Sequence, residues 1–253
     1  MIFSLRRPLA VLCLLLAPAL ASAAEEHPII AKARKFVGEE STLDGLRTLR
    51  FVATMSVPDA ADTTKKKTVK LDVVFEKPDR QLMQLGFDDR VEITGLDGFD
   101  GWHLLQDKSD PPRRRVTILP PARIRRLRAE TWENLYYFRG LERAGGTVED
   151  QGDHLVDGVL TRKIAYIHSP TIRFSRYFDP QTGRLVVTET EDGRIIREEG
   201  EMVVQGLRFP RTVETFARNA QGVVETVTLT FEKITINEPL PREYFAVPRP
   251  RAP

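Results

Sequence analysis

From residue 48 onward, apolar side chains recur at every second position. Leu49, Phe51, Ala53, Met55 and Val57 alternate with Thr48, Arg50, Thr54 and Ser56, interrupted only by Val52. Val69, Leu71, Val73 and Phe75 alternate with Lys70, Asp72 and Glu76, interrupted only by Val74. A period of two predicts strands with one apolar and one wet face. A polar, lysine-rich hairpin loop joins these two over residues 59–67, and further short strands are expected at 81–87, 90–96 and 101–106. Before them, Ile29, Ile30, Ala33, Phe36 and Val37 recur at three- and four-residue spacing behind Pro28, which predicts a helix over 28–40.

The pattern changes at Pro111-Pro112. Together with Pro120-Pro121 these prolines bracket an arginine-rich strand or loop, and residues 122–143 then read as helix, with no Gly or Pro before Gly140. After Gly145-Gly146 strands resume at 159–168, 171–179, 184–191, 194–204, 207–217 and 223–236. Asp192-Gly193 predicts a two-residue hairpin loop that sets Glu191 opposite Arg194. The turn at 179–183 carries Gly183 at its left-handed end. The fold expected is mainly β (α+β), an antiparallel meander of about eleven strands with one helical insertion.

The first residues read as a secretory leader. Arg6 and Arg7 precede an uncharged apolar run that Pro18 breaks, and Ala21-Ser22-Ala23 supplies the small residues of a cleavage site. The run is shorter than the roughly 20 residues needed to cross a bilayer. Residues 1–24 are therefore expected to be cleaved, leaving 25–253 as a single domain. The only cysteine, Cys13, lies inside the apolar run after Leu12, which is no lipidation signal, so the mature chain is expected to be periplasmic, soluble and not acylated. Without Cys13 it has no disulfide. Losing two arginines takes the net charge from +2 to about zero, which argues against a nucleic-acid partner.

Several strings in this order resemble the periplasmic lipoprotein carrier LolA and its lipoprotein-sorting relatives. They are Phe75-Glu76-Lys77-Pro78-Asp79-Arg80, Asp97-Gly98-Phe99-Asp100-Gly101-Trp102, Tyr177-Phe178-Asp179-Pro180-Gln181-Thr182-Gly183-Arg184, Val204-Gln205-Gly206-Leu207-Arg208-Phe209-Pro210, and the close Tyr244-Phe245-Ala246-Val247-Pro248. The resemblance implies a strongly curved antiparallel sheet forming an unclosed half-barrel, capped by the N-terminal helix and by a helical lid at about 121–143. It further implies a non-catalytic carrier without cofactor. Its cargo would be lipid or acylated lipoprotein, moved towards the outer membrane between inner-membrane donor and outer-membrane acceptor proteins. Relatives of the same fold sense lipid or lipoprotein signals, and that reading stays open beside carriage. A monomer is expected.

On this reading Phe51, Met55, Val73, Phe75, Met83, Leu85, Trp102 and Leu104 line the cavity, the alternative being ordinary core. Trp132, Leu135, Tyr136 and Phe138 give the lid its aromatic density; a helix buried permanently on the sheet fits the same pattern. Lys77 stands where the family's carriers commonly place an arginine that latches the lid, and a lysine is a point donor rather than a planar fork. Arg113, Arg114, Arg115, Arg123 and Arg126, with Arg125 and Arg128, form a basic cluster suited to anionic headgroups or a partner, or simply a solvated face.

Catalytic signals are missing. His27, His103, His154 and His168 are far apart in sequence and are expected at the surface or at edges, with no metal-ligand spacing. The Gly95, Gly98, Gly101 series opens no helix, and no Gly-x-Ser-x-Gly elbow occurs. Asp97 and Asp100 lack calcium-loop spacing, and Glu189 and Glu191 fit a wet strand face.

Overall fold

A computed structural model describes residues 27–59 and 65–248; the expected leader and cleavage site, residues 1–24, lie outside the described residues. Helix α1, Pro28–Val37, starts behind His27, whose Nδ1 accepts the Ile29 N–H at 3.2 Å and caps the first turn. It stops at Gly38 rather than running to residue 40. A Cβ there would stand 2.6 Å from Leu207 Cδ2 and 2.8 Å from the Gly206 carbonyl, so only glycine lets the backbone pass this close to residues 206–207. A five-residue helix α2, Glu40–Asp44, follows.

Among the described residues fifteen strands are formed: β1 Thr48–Pro58, β2 Lys66–Glu76, β3 Arg80–Gly86, β4 Arg90–Asp97, β5 Asp100–Asp107, β6 Arg114–Ile118, β7 Thr147–Val156, β8 Val159–Ser169, β9 Ile172–Phe178, β10 Leu185–Thr190, β11 Ile195–Glu199, β12 Met202–Val204, β13 Leu207–Phe209, β14 Thr212–Arg218 and β15 Val224–Ile236. Thirteen share one antiparallel sheet in the order β6-β5-β4-β3-β2-β1-β15-β14-β11-β10-β9-β8-β7, while β12 and β13 make a separate hairpin. The sheet is not closed, since β6 and β7 each have one neighbour. Two meanders, β1 to β6 and β7 to β15, meet where β1 pairs with β15, Leu49 opposite Ile236. The excess over eleven strands comes from β6, from β7, which the sequence reading left unassigned, and from splits at Gly200 and Pro210.

Helix α3, Pro121–Leu135, lies across β2 to β5 on one face of the sheet. Gly101 makes the close approach possible, because a Cβ there would meet Ile124 Cγ1 at 2.7 Å. Thr131 Oγ1 reaches Gln81 Oε1 at 3.2 Å in the buried contact. The helix ends eight residues before the expected position 143. Tyr136 caps it, Tyr137 and Phe138 have φ of 45° and 74°, and a short 3-10 turn follows at Leu141–Ala144. Left-handed backbone in two consecutive bulky residues is strained by about 1–3 kcal/mol each and persists only where the surroundings hold it.

Two apolar clusters share the helix face of the sheet. One joins Phe51, Phe75, Phe209 and Phe231 to Leu135, with the Phe51 ring 4.9 Å from Phe231 and 6.2 Å from Phe75. The other packs Ile29, Ile30, Trp132 and Phe138 on Ile164, Tyr166, Phe174 and Phe178. Strand pairing corrects one expectation. Trp102 sits opposite Gly95, which sits opposite Leu82, which sits opposite Val74, so Trp102 and Leu104 point to the face away from Phe51 and Val73. There the Trp102 indole donates to the Phe245 carbonyl at 3.0 Å, under the C-terminal 3-10 turn Arg242–Phe245. Gly95 leaves room for the ring, since a Cβ would stand 2.1 Å from it.

The Asp192-Gly193 hairpin also differs from expectation. Thr188 pairs with Ile196 and the Thr190 N–H donates to the Arg194 carbonyl, so the loop has three residues with Gly193 left-handed at its end. This register leaves Arg194 beside Asp192, at 2.9 Å, and Glu191 free to bind Arg126 at 2.5 Å.

Candidate functional site

Between the sheet and the α1–α3 side lies a cavity of about 640 Å³. Phe51, Val73 and Phe75 wall it from β1 and β2, and Phe174 and Arg176 from β9. Strands β2 and β9 are six steps apart in the sheet, about 29 Å if the sheet were flat. Facing one cavity together requires strong curvature. Leu229 and Phe231 of β15, Phe209 of β13 and Phe36 and Val37 of α1 complete most of the apolar wall, and Tyr137 and Phe138 close it at the end of α3.

The expected cavity residues divide three ways. Phe51, Val73 and Phe75 line it. Met83 and Leu85 are half-buried and pack against the same cluster, and Met55 shares their face but lies outside the lining. Trp102 and Leu104 are buried on the opposite face. Of the lid residues, Phe138 lines the cavity, Leu135 is fully buried in the core, and Trp132 and Tyr136 turn the other way, stacked 5.5 Å apart at an interplanar angle of 6°.

Several polar residues in the cavity lining were not anticipated, Arg176, Glu133 and Glu198 among them. Arg176 and Glu133, both buried, pair at 2.5 Å, and Glu133 also takes His168 Nε2 at 2.6 Å. The Arg176 guanidinium lies over the Phe138 ring at 4.6 Å. His168 is thus a core group against Trp132 and Phe174, not an edge residue. On β11, two strands from Arg176 and on the same face of the sheet, Glu198 also lines the cavity and keeps accessible surface. Burial pushes its carboxyl above the usual range, with Arg176 opposing the shift. Burial likewise pushes the Tyr137 hydroxyl up.

Arg34 holds the strained end of α3. Its buried guanidinium donates to the Tyr136 and Tyr137 carbonyls at 3.1 and 2.9 Å, to Glu40 at 2.6 Å and to Asp44 at 3.0 Å. Hydrogen bonding from Arg34 holds the Glu40 carboxyl below its usual range. Lys77 makes no such fork. Its Nζ rests 4.8 Å from the centre of the Tyr136 ring, and desolvation by burial lowers its pKa. Arg34 and Arg176 were legible in principle, because each occupies a position in phase with apolar neighbours: Ile30 and Ala33 around Arg34, and Phe174 and Phe178 around Arg176.

The basic cluster is dispersed. Arg113 and Arg115 are exposed beside and on the edge strand β6, with Arg114 half-buried between them. Arg123 and Arg126 approach Glu130 at 3.9 and 3.0 Å, and Arg126 also lies over Phe174. Glu189 and Glu191 are separately engaged, by Tyr177 Oη and by Arg126. Among the described residues no three His, Cys, Asp or Glu side chains are grouped to hold a metal ion, and no helix is long and apolar enough to cross a membrane.

An open, strongly curved antiparallel sheet with helices over an apolar cavity is the LolA-like fold. Solved structures share it, three of them as follows. A DUF1329 family protein from Desulfovibrio piger matches with a TM-score of 0.53 at 11% identity, over 86% of this chain and 95% of its own. A domain from Vibrio parahaemolyticus described as an outer membrane lipoprotein-sorting protein matches at 0.54 and 13%, over 86% and 95%. A LolA superfamily protein from Nitrosomonas europaea matches at 0.54 and 11%, over 87% and 96%. No protein-family profile matches the sequence, and no curated protein does.

Proposed function

We propose that this protein binds the acyl chains of a lipid or lipoprotein in the cavity, as a non-catalytic periplasmic carrier delivering towards the outer membrane. The observation that carries the reading is the 640 Å³ cavity walled by Phe51, Phe75, Phe209, Phe231 and Phe138. That volume falls in the range of about 300–1,000 Å³ usual for small-molecule sites. Each acyl CH₂ moved from water into such a wall gains about 0.8 kcal/mol, so a multi-chain anchor cannot cross an aqueous gap uncovered. The LolA-like fold supports the same reading, and partners at the donor and acceptor membranes follow from it.

Native mass spectrometry with organic extraction, on mature protein purified from its own periplasm, tests this. Bound phospholipid or acylated peptide is the expected result. A folded protein that carries no lipid and takes up none would sink the carrier reading.

A further inference from the structure

A second concavity, of about 720 Å³, lies against the same helix but away from the acyl cavity. Six cationic residues and two carboxylates line it. Three of the cations are matched: Arg34 with Glu40 and Asp44, Arg139 with Glu40, and Arg128 with Asp79 at 3.0 Å. The other three, Lys77, Arg125 and Arg143, have no carboxylate within ion-pair distance among the described residues. They come from three separate segments: the β2–β3 turn, helix α3 and the 3-10 turn after it. A solvated basic face would spread such charges outward; here they rim one hollow.

The hollow also has a flat wall. Trp132 and Tyr136 are stacked there, and Lys77 sits on the Tyr136 ring. Trp132 is 5% exposed, and its indole Nε1–H has no acceptor among the described residues. A half-buried lysine with no carboxylate in ion-pair contact, only the field of Asp44, is costly. One tetrahedral group with several anionic oxygens would match these cations, since a phosphate accepts from guanidinium and ammonium donors together.

We infer that this hollow binds the phosphate of an anionic phospholipid headgroup. The position supports a lipid source. Glu133, Tyr137 and Phe138 of the same segment wall the acyl cavity while Trp132 and Tyr136 wall the hollow, so one helix separates a site for charge from a site for chains. Phosphate held here ties the β2–β3 turn to α3 and to the turn beyond it. The inference goes beyond acyl binding and does not depend on it, because the headgroup is recognised without its chains.

The test uses soluble glycerophosphoglycerol, which has no acyl chain, titrated against the intrinsic tryptophan fluorescence of the mature protein. Inorganic phosphate is the second probe. Flotation with phosphatidylglycerol vesicles, against phosphatidylcholine vesicles, is the third. The variants are R125Q/R143Q, two exposed positions that leave the core intact, and R113Q/R115Q at β6 as the control for general charge. The expected result is saturable binding of glycerophosphoglycerol and of the anionic vesicles, weakened about tenfold or more in R125Q/R143Q and little changed in R113Q/R115Q. No saturable response to either soluble phosphate, or equal loss in both variants, overturns the site. Binding of inorganic phosphate without binding of headgroup or vesicle overturns the lipid source. A failure of acyl-chain uptake leaves all three readouts unaffected, so the two readings fail separately.

Discussion

Glu198 shows what a single side chain imposes on the cavity. A carboxyl whose folded pKa is raised is penalised when ionised, so its cost is absent below the unfolded carboxyl range and grows as pH rises through the folded value. Arg176, itself neutralised by Glu133, only partly offsets it. E198Q is expected to raise the melting midpoint slightly at pH 7–8, a gain of less than about 1 kcal/mol because solvent reaches the side chain, with the gain shrinking towards pH 4. Thermal melts across that range check it; a variant no more stable than wild type at neutral pH would place the carboxyl in water. The two in-phase arginines carry a related lesson. Alternation marks Arg176 as facing the core with Phe174 and Phe178, but what satisfies it, Glu133, comes from a helix 43 residues away in sequence, and no local pattern announces that partner.

At the scale of elements, sequence periodicity locates most strands and fails where tertiary contacts choose the ending. Tyr136, Tyr137 and Phe138 extend the helical pattern of α3, yet the chain turns left-handed there because Arg34 draws two carbonyls out of the helix. The side facing the cavity was equally hidden. Alternation defines two faces of β5, and both are covered, one by α3 and the other by the turn at Arg242–Phe245, so Trp102 is buried without lining anything. R34A tests the clasp. Losing the guanidinium leaves two carbonyls without their donor, at about 1–3 kcal/mol each if they stay buried, less where water enters. The midpoint should fall, and hydrogen exchange across residues 136–141 should speed up. Glu40 adds a pH signature. Its depressed pKa contributes stability above the unfolded glutamate range, lost as pH falls through the folded value. The gap between wild type and R34A should therefore narrow below about pH 4. Unchanged exchange across that segment would show that Arg34 does not hold it.

For the whole molecule, an open sheet means two unpaired edges. Strand β6 is five residues long, and Arg113, Arg114 and Arg115 crowd its start, which blunts pairing with another chain. R115V leaves Val, Val, Thr and exposed Ile118 along that edge. Concentration-dependent self-association in sedimentation velocity is expected, and a variant that stays at the wild-type sedimentation coefficient at high concentration would show that charge is not what guards the edge.

The place of β15 has a consequence for time rather than space. It is the last strand among the described residues, and it joins the first meander to the second through β1. Each meander is made of neighbours in sequence and can form early, whereas the β1–β15 seam must wait for a loop of nearly the whole chain to close. Leu229 and Phe231, supplied by that strand, are part of the cavity wall. Until that seam closes there are two half-shells and no container, and the cavity is complete only once β1 and β15 have paired.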